Sequence, residues 1–181
     1  MTEKIYEAKK MDDPNRDRPS LSFYHPNGKG TGCALKVILH PSLDTADGYL
    51  EIRMASQATV GDLRSNPHSY PTFDWDNYRD FYLGVEAVGK MLMVLRGETE
   101  SIDDGKGLYS HRLDTDAKIH LVFRHVIEPA QGYSLEMYSK YPGDDEQRKH
   151  LIFLSPAESL GLICALEHSI GLMCFGLHPL H

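Results

Sequence analysis

Two stretches of this sequence repeat one another, and that repetition limits the fold more than any single motif does. At an offset of 72, Phe81 falls on Phe153, Glu86 on Glu158, Val88 on Leu160, Gly89 on Gly161 and Val94 on Leu166. Gly28-Lys29-Gly30 likewise has a counterpart in Gly105-Lys106-Gly107. In each copy strand patterns come first and a helix closes the unit. Residues 34–40 form a nearly unbroken apolar run between Gly32 and Pro41. Leu50, Ile52 and Met54 alternate with Tyr49, Glu51 and Arg53, the period of a half-buried strand. Asp47-Gly48 ends the polar turn between these strands, as suits a hairpin.

A long connection over 57–75, holding Pro67 and Pro71, leads to a strand at 78–85. Helical spacing follows over 86–95, with Val88, Met91, Leu92 and Leu95 on one stripe. The second copy predicts strands at 118–127, 133–140 and 149–154. Its helix has a legible start, with Ser155 as N-cap, Pro156 at the first position and Glu158 at the third. It runs to about residue 175 and stops at Gly176 and Pro179. The expected fold class is α+β: internally duplicated ββββα units forming two antiparallel sheets, with two helices packing at one end. Residues 20–181 are expected to form one domain of two repeats, about 20–98 and 105–176. A polar segment over 1–19, rich in both charges, reads as a flexible arm.

Neither repeat alone buries enough surface for a stable fold. The last helix is apolar around most of its circumference, which points to cover on all sides and so to a symmetric neighbour. Leu162, Leu166, Ile170 and Met173 are the expected homo-oligomer contacts. The apolar stretch is broken by Glu167, His168 and Gly171, so no membrane crossing is expected. With a polar opening segment and three cysteines in 181 residues, the expected location is the cytoplasm, with reduced thiols. Cys164 and Cys174, ten residues apart on one helix, would sit about 15 Å from each other, beyond disulfide reach.

Several chemistries fit poorly. Gly28-x-Gly30-x-Gly32 looks like a nucleotide loop, but a strand follows it where a phosphate cradle needs a helix N-terminus. His120 and His125 are five apart on a strand and so face opposite ways, and His178 and His181 lie at the end of the chain. No metal and no cofactor are expected. Among catalytic candidates, His68, Asp74 and Asp76 cluster in sequence and Cys33 could be a nucleophile, but nothing orients a base towards it. The expectation is a protein that is not an enzyme.

Three segments carry a family resemblance. Lys29-Gly30-Thr31-Gly32-Cys33-Ala34-Leu35 is similar to a Lys-Gly-Asn-Lys-Ala-Leu motif, with one residue inserted, the second lysine missing and Lys36 following. Phe73-Asp74-Trp75, then Phe81-Tyr82-Leu83, resembles a Tyr-Asp-Trp ahead of the strand that feeds the first helix. His168-Ser169-Ile170-Gly171 resembles a His-x-x-Gly near the end of the last helix, with Leu172 in place of the usual Trp. Together with four strands and a helix given twice, over roughly residues 22–176, these resemble the Whirly proteins of the single-stranded-DNA-binding transcriptional regulator fold. The guide-RNA-binding proteins of kinetoplastids share that fold. The resemblance implies a tetramer with sheets radiating around a helical core, and single-stranded DNA, or RNA, lying against the sheets. It implies transcription regulation or DNA maintenance as the setting.

The residues speak to this separately. A net charge of -7 excludes coating of duplex phosphate by global charge, although 19 Lys and Arg remain for a local stripe. A single-strand binder needs exposed rings for bases beside cations for phosphates. The expected contacts are Phe23, Tyr24, Lys29, Lys36, Tyr49, Arg53, Trp75, Tyr78, Arg79, Arg124, Tyr138 and Lys140. Each taken alone also has a structural reading, since Tyr packs well on any pleated surface. The competing assignment is a protein-interaction module of the same fold without nucleic-acid binding, which the acidic charge favours.

Overall fold

The computed structural model describes residues 20–43, 46–62, 65–112, 115–128 and 130–176. The arm expected over 1–19, and His178, Pro179 and His181, lie outside the described residues. The first unit comprises β1 (Ser20–His25), β2 (Cys33–His40), β3 (Tyr49–Thr59), the two-residue β4 (Thr72–Phe73), β5 (Arg79–Leu83) and helix α1 (Val85–Leu95). The second comprises β6 (Leu108–Arg112), β7 (Ala117–Val126), β8 (Gly132–Lys140), β9 (Arg148–Leu154) and helix α2 (Pro156–Phe175). Both sheets are antiparallel. The first runs β1-β2-β3, with β4 and β5 both pairing to β3, and the second runs β6-β7-β8-β9.

Register follows the apolar alternation. Leu35, Val37 and Leu39 stand opposite Met54, Ile52 and Leu50, and all six point inward to one core. In the second sheet Leu121 and Phe123 stand opposite Met137 and Leu135 and face the same core. Met91, Leu92 and Leu95 of α1 and Leu162 and Leu166 of α2 close it. The two copies superpose in burial at an offset of 71, one less than sequence matching gives. Phe81, Leu83, Met91 and Leu95 then fall on Ile152, Leu154, Leu162 and Leu166, all buried. At 72, buried Phe81 and Val88 would fall on half-exposed Phe153 and exposed Leu160. Physical equivalence lies in the inward positions, and chance identity of Phe, Glu and Gly displaced the match by one.

Helix α2 starts as its sequence says. Ser155 accepts from the Glu158 N–H while the Glu158 carboxylate takes the Ser155 N–H, a complete capping box. The same residue's carboxylate lies 2.7 Å from His25 Nε2, which joins the helix start to β1. The far end is clasped by the β2–β3 turn: Ser42 N–H donates to Leu172 O at 2.9 Å and Gly48 N–H to Met173 O at 3.1 Å. A Cβ on Gly48 would come within 2.6 Å of Met173 Cα, so only glycine allows this approach. Within the chain α2 is covered on one side and open on the other. Leu162, Leu166 and Met173 are buried within the chain itself and Ile170 packs half-buried against the same core, so these side chains are not free for a neighbour. The exposed face carries Leu160, Cys164, Cys174 and Phe175 instead. By length and composition alone α2 also meets the requirement for a membrane crossing, contrary to the expectation from its sequence.

A polar knot joins the two units at the β5 edge. Asp80 accepts from Arg112 and from the Tyr141 hydroxyl, each at 2.6 Å. Arg79 donates to Asp144 at 2.8 Å while lying over the Tyr141 ring. The Tyr141 N–H, with Arg79 and Arg148 alongside, holds the Asp144 carboxyl below its usual range. Nearby, His150 is buried, with Nε2 3.2 Å from Ser56 Oγ and Nδ1 without a partner among the described residues. Burial, reinforced by Arg79 and Arg148, pushes this imidazole down from 6.5 to about 4. The folded chain therefore keeps the ring neutral while the unfolded chain protonates it first. Stability in urea titrations is expected to hold above pH 6.5 and to fall by about 3 kcal/mol as pH drops through this window to 4. His150→Gln is expected to flatten that slope.

Candidate nucleic-acid interface

Because the core claims alternate residues, the others form an outward face on each sheet. On the first, the rows across strands are Lys36, Arg53, Asp80 and Ile38, Glu51, Tyr82, followed by His40 and Tyr49. Most of this face is internally satisfied. Arg53 donates to both Glu51 oxygens and lies 4.5 Å over the Tyr78 ring. His40 lies 2.9 Å from Glu51 and stacks on Tyr49 at 4.2 Å. Arg112 caps Tyr82 at 4.0 Å. At the upper corner three rings gather: Tyr24 lies 5.6 Å from Phe73 and 6.4 Å from Trp75, edge-on to the latter. Lys36 Nζ sits 5.0 Å over the indole.

Beside this corner the β1–β2 loop is held rigid by one side chain. Gln57 Oε1 accepts from the Asn27 and Gly32 N–H groups, at 2.9 and 3.1 Å. Its Nε2 donates to Asn27 O and Thr59 O, at 3.1 and 2.9 Å. Asn27 Oδ1 in turn accepts from the backbone of Lys29 and Thr31, presenting the exposed Lys29 from a fixed turn.

The second sheet is more open. Tyr109, His120, Tyr138 and Lys149 form one row across four strands. Tyr109 stacks on His120 at 4.0 Å with an interplanar angle of 2°, His120 lies 5.8 Å from Tyr138, and Lys149 Nζ is 5.1 Å over Tyr138. His120 Nε2 is fixed by Lys106 O at 2.7 Å. Glu136, buried beneath, is bonded by Arg124, by Lys149 at 2.8 Å and by the Tyr138 hydroxyl at 2.6 Å. Burial pushes its carboxyl up, but these three partners outweigh it and hold the group below the usual range.

The expected contact residues divide accordingly. Tyr24, Lys29, Lys36, Trp75, Arg124, Tyr138 and Lys140 lie on outward faces or loops with exposed or half-exposed side chains. Tyr49 and Tyr78 are half-buried and already stacked on His40 and Arg53. Three do not reach the surface. Phe23 points into the core because its neighbours Leu21 and His25 share the inward side of β1. Arg79 alternates inward on β5 and is consumed by Asp144 and Tyr141. Arg53 lies flat, 8% exposed, between Glu51 and Tyr78. Tyr109, Lys118 and Lys149 join the face without having been singled out from sequence, together with His120, which the sequence offered only as a metal candidate. Strand alternation alone assigns Lys118, His120 and Lys149 to the face of Tyr138, and only the β6 register adds Tyr109.

Catalytic candidates do not converge. Asp74 spends its carboxylate capping the Trp75–Asn77 turn through Asn77, while His68 stands exposed in the long loop. Burial pushes the Cys33 thiol up to about 12, which leaves it protonated and unreactive.

No protein-family profile and no curated protein matches this sequence. Solved structures do. The crystal structure of WHY1 from Arabidopsis thaliana aligns with a TM-score of 0.68 at 18% identity, covering 88% of this chain and 87% of that one. The plant transcriptional regulator PBF-2 gives 0.63 at 16%, over 86% and 82%. A guideRNA-binding protein complex bound to a gRNA gives 0.58 at 19%, over 87% and 93%. The fold is thus the Whirly-like one to which the sequence motifs point.

Gln57→Ala removes four hydrogen bonds from a buried position. It is expected to destabilise the chain by about 1–3 kcal/mol and to speed amide exchange across residues 27–32, measured by hydrogen–deuterium exchange.

Proposed function

We propose that this chain is a noncatalytic binder of single-stranded nucleic acid, DNA first and RNA as a second ligand, serving transcription regulation or DNA maintenance. The observation that carries the reading is the set of exposed or half-exposed rings on the outward faces, two of them under a cation: Tyr24 and Trp75, with Lys36 over the indole, and Tyr109, His120 and Tyr138, with Lys149 over Tyr138. Unpaired bases stack on such rings whatever their sequence, and exposed basic side chains of the same faces meet the phosphates. The likeness to a solved guideRNA-binding complex and to a plant transcriptional regulator supports the class of ligand. The net charge of -7 is summed over the whole chain, and on the outward faces the carboxylates Glu51, Asp80 and Glu136 are paired with Arg, His or Lys side chains.

The protein is further proposed to act as a homotetramer, assembled through the exposed face of α2 at Leu160, Cys164 and Phe175 rather than through the residues the sequence indicated. Leu160→Glu is expected to yield a smaller species in sedimentation, and an unchanged mass would overturn this assembly. In fluorescence anisotropy with labelled oligo-dT, Trp75→Ala and Tyr138→Ala are each expected to weaken binding by about 1–3 kcal/mol. An unmodified chain that fails to bind at low salt would instead favour a protein-interaction module.

A further inference from the structure

Resting on the reading of a single-strand binder, we propose that the phosphodiester backbone is held by a track on the second sheet, His111, Lys118 and Lys140, while the first sheet supplies rings but little charge. These three residues stand opposite one another across β6, β7 and β8, with Lys118 paired directly to both His111 and Lys140. Two inter-strand spacings put the ends of the row about 10 Å apart. Like charges directly opposite on one face destabilise a sheet. Lys118 and Lys140 are exposed, and neither has an ion pair among the described residues to offset the repulsion. A polyanion laid along the row would offset it.

The neighbouring row supplies the complementary half. Tyr109, His120 and Tyr138 lie two residues further along the same strands, about 7 Å away. Between the rows is an open concavity of about 540 Å³ lined by Tyr109, His111, Lys118, His120 and Gln147, where a base attached to the track meets a ring. One carboxylate reaches the track at its β6 end, where Asp116 lies 2.7 Å from His111 and within electrostatic reach of Lys118, while Glu136 is buried beside Tyr138 and bonded to its hydroxyl.

The first sheet differs at the corresponding level. Its outward cations Lys36 and Arg53 face two carboxylates, Glu51 and Asp80, and both are occupied, Lys36 over Trp75 and Arg53 by Glu51. The duplicated faces have therefore diverged, one into a neutralised network and the other into a row whose lysines, Lys118 and Lys140, have no direct ion pair among the described residues.

The test is the salt dependence of oligo-dT binding by the full chain, followed by anisotropy. For single strands, removing one phosphate-binding cation lowers the slope of log K against log salt by about 0.7, so Lys118→Gln with Lys140→Gln is expected to lower it by about 1.4. The thermal midpoint of that variant is expected to stay level or rise, since repulsion is relieved. Lys118→Arg with Lys140→Arg is expected to keep the slope, and Trp75→Ala to weaken binding without changing it. A slope that responds to Lys36→Gln but not to the double variant would overturn the track and leave single-strand binding standing. Absence of binding by the unmodified chain at low salt would overturn both.

Discussion

Strand alternation around a single shared core is the constraint on which the rest depends. Once Leu35, Val37 and Leu39, with Leu50, Ile52 and Met54, are committed inward, their neighbours Lys36, Glu51 and Arg53 have nowhere to go but the outer face. The second sheet obeys the same rule, with Ile119 and Leu121 inward and Lys118 and His120 outward. A one-residue slip would exchange the two sets along a whole strand. Core packing thus fixes the surface chemistry, and the face that meets a ligand is a by-product of the face that excludes water.

Much of this is legible in the sequence because its periods are clean. The central strands, both helices and the capping box of α2 stand where Leu50, Ile52 and Met54, the Val88–Leu95 stripe and Ser155 place them. Edge strands are harder to read. β1 and β6 are short and only partly covered, so their apolar pattern is weak, and Tyr109 is hidden along with β6. For Phe23 and Arg79, residue type suggests an outward role while parity on the strand points inward, and parity prevails. The α2 contacts fail for a related reason. A helix apolar nearly all round does not announce which stripe its own chain uses, and Leu162, Leu166 and Met173 serve the interior.

Net charge is a poor guide to local electrostatics here. Five carboxylates in this chain are employed as ties: Asp80 and Asp144 between the two units, Glu158 at a helix start, Glu51 and Glu136 on the sheet faces. A carboxylate paired with a cation leaves the field of a local dipole rather than that of a free charge. Exposed lysines such as Lys118 and Lys140 keep their full effect at short range, within a screening length of about 10 Å.

The clasp of α2 by the β2–β3 turn has a consequence for how the chain reaches this state during vectorial synthesis. Residues near 42–48 leave the ribosome well over a hundred positions before Leu172 and Met173, their backbone partners. The opening sheet must therefore wait, with one turn unanchored and part of its apolar side uncovered, until the final helix emerges to dock. In that interval the leading half lacks the backbone partners and the apolar cover that α2 supplies once it docks.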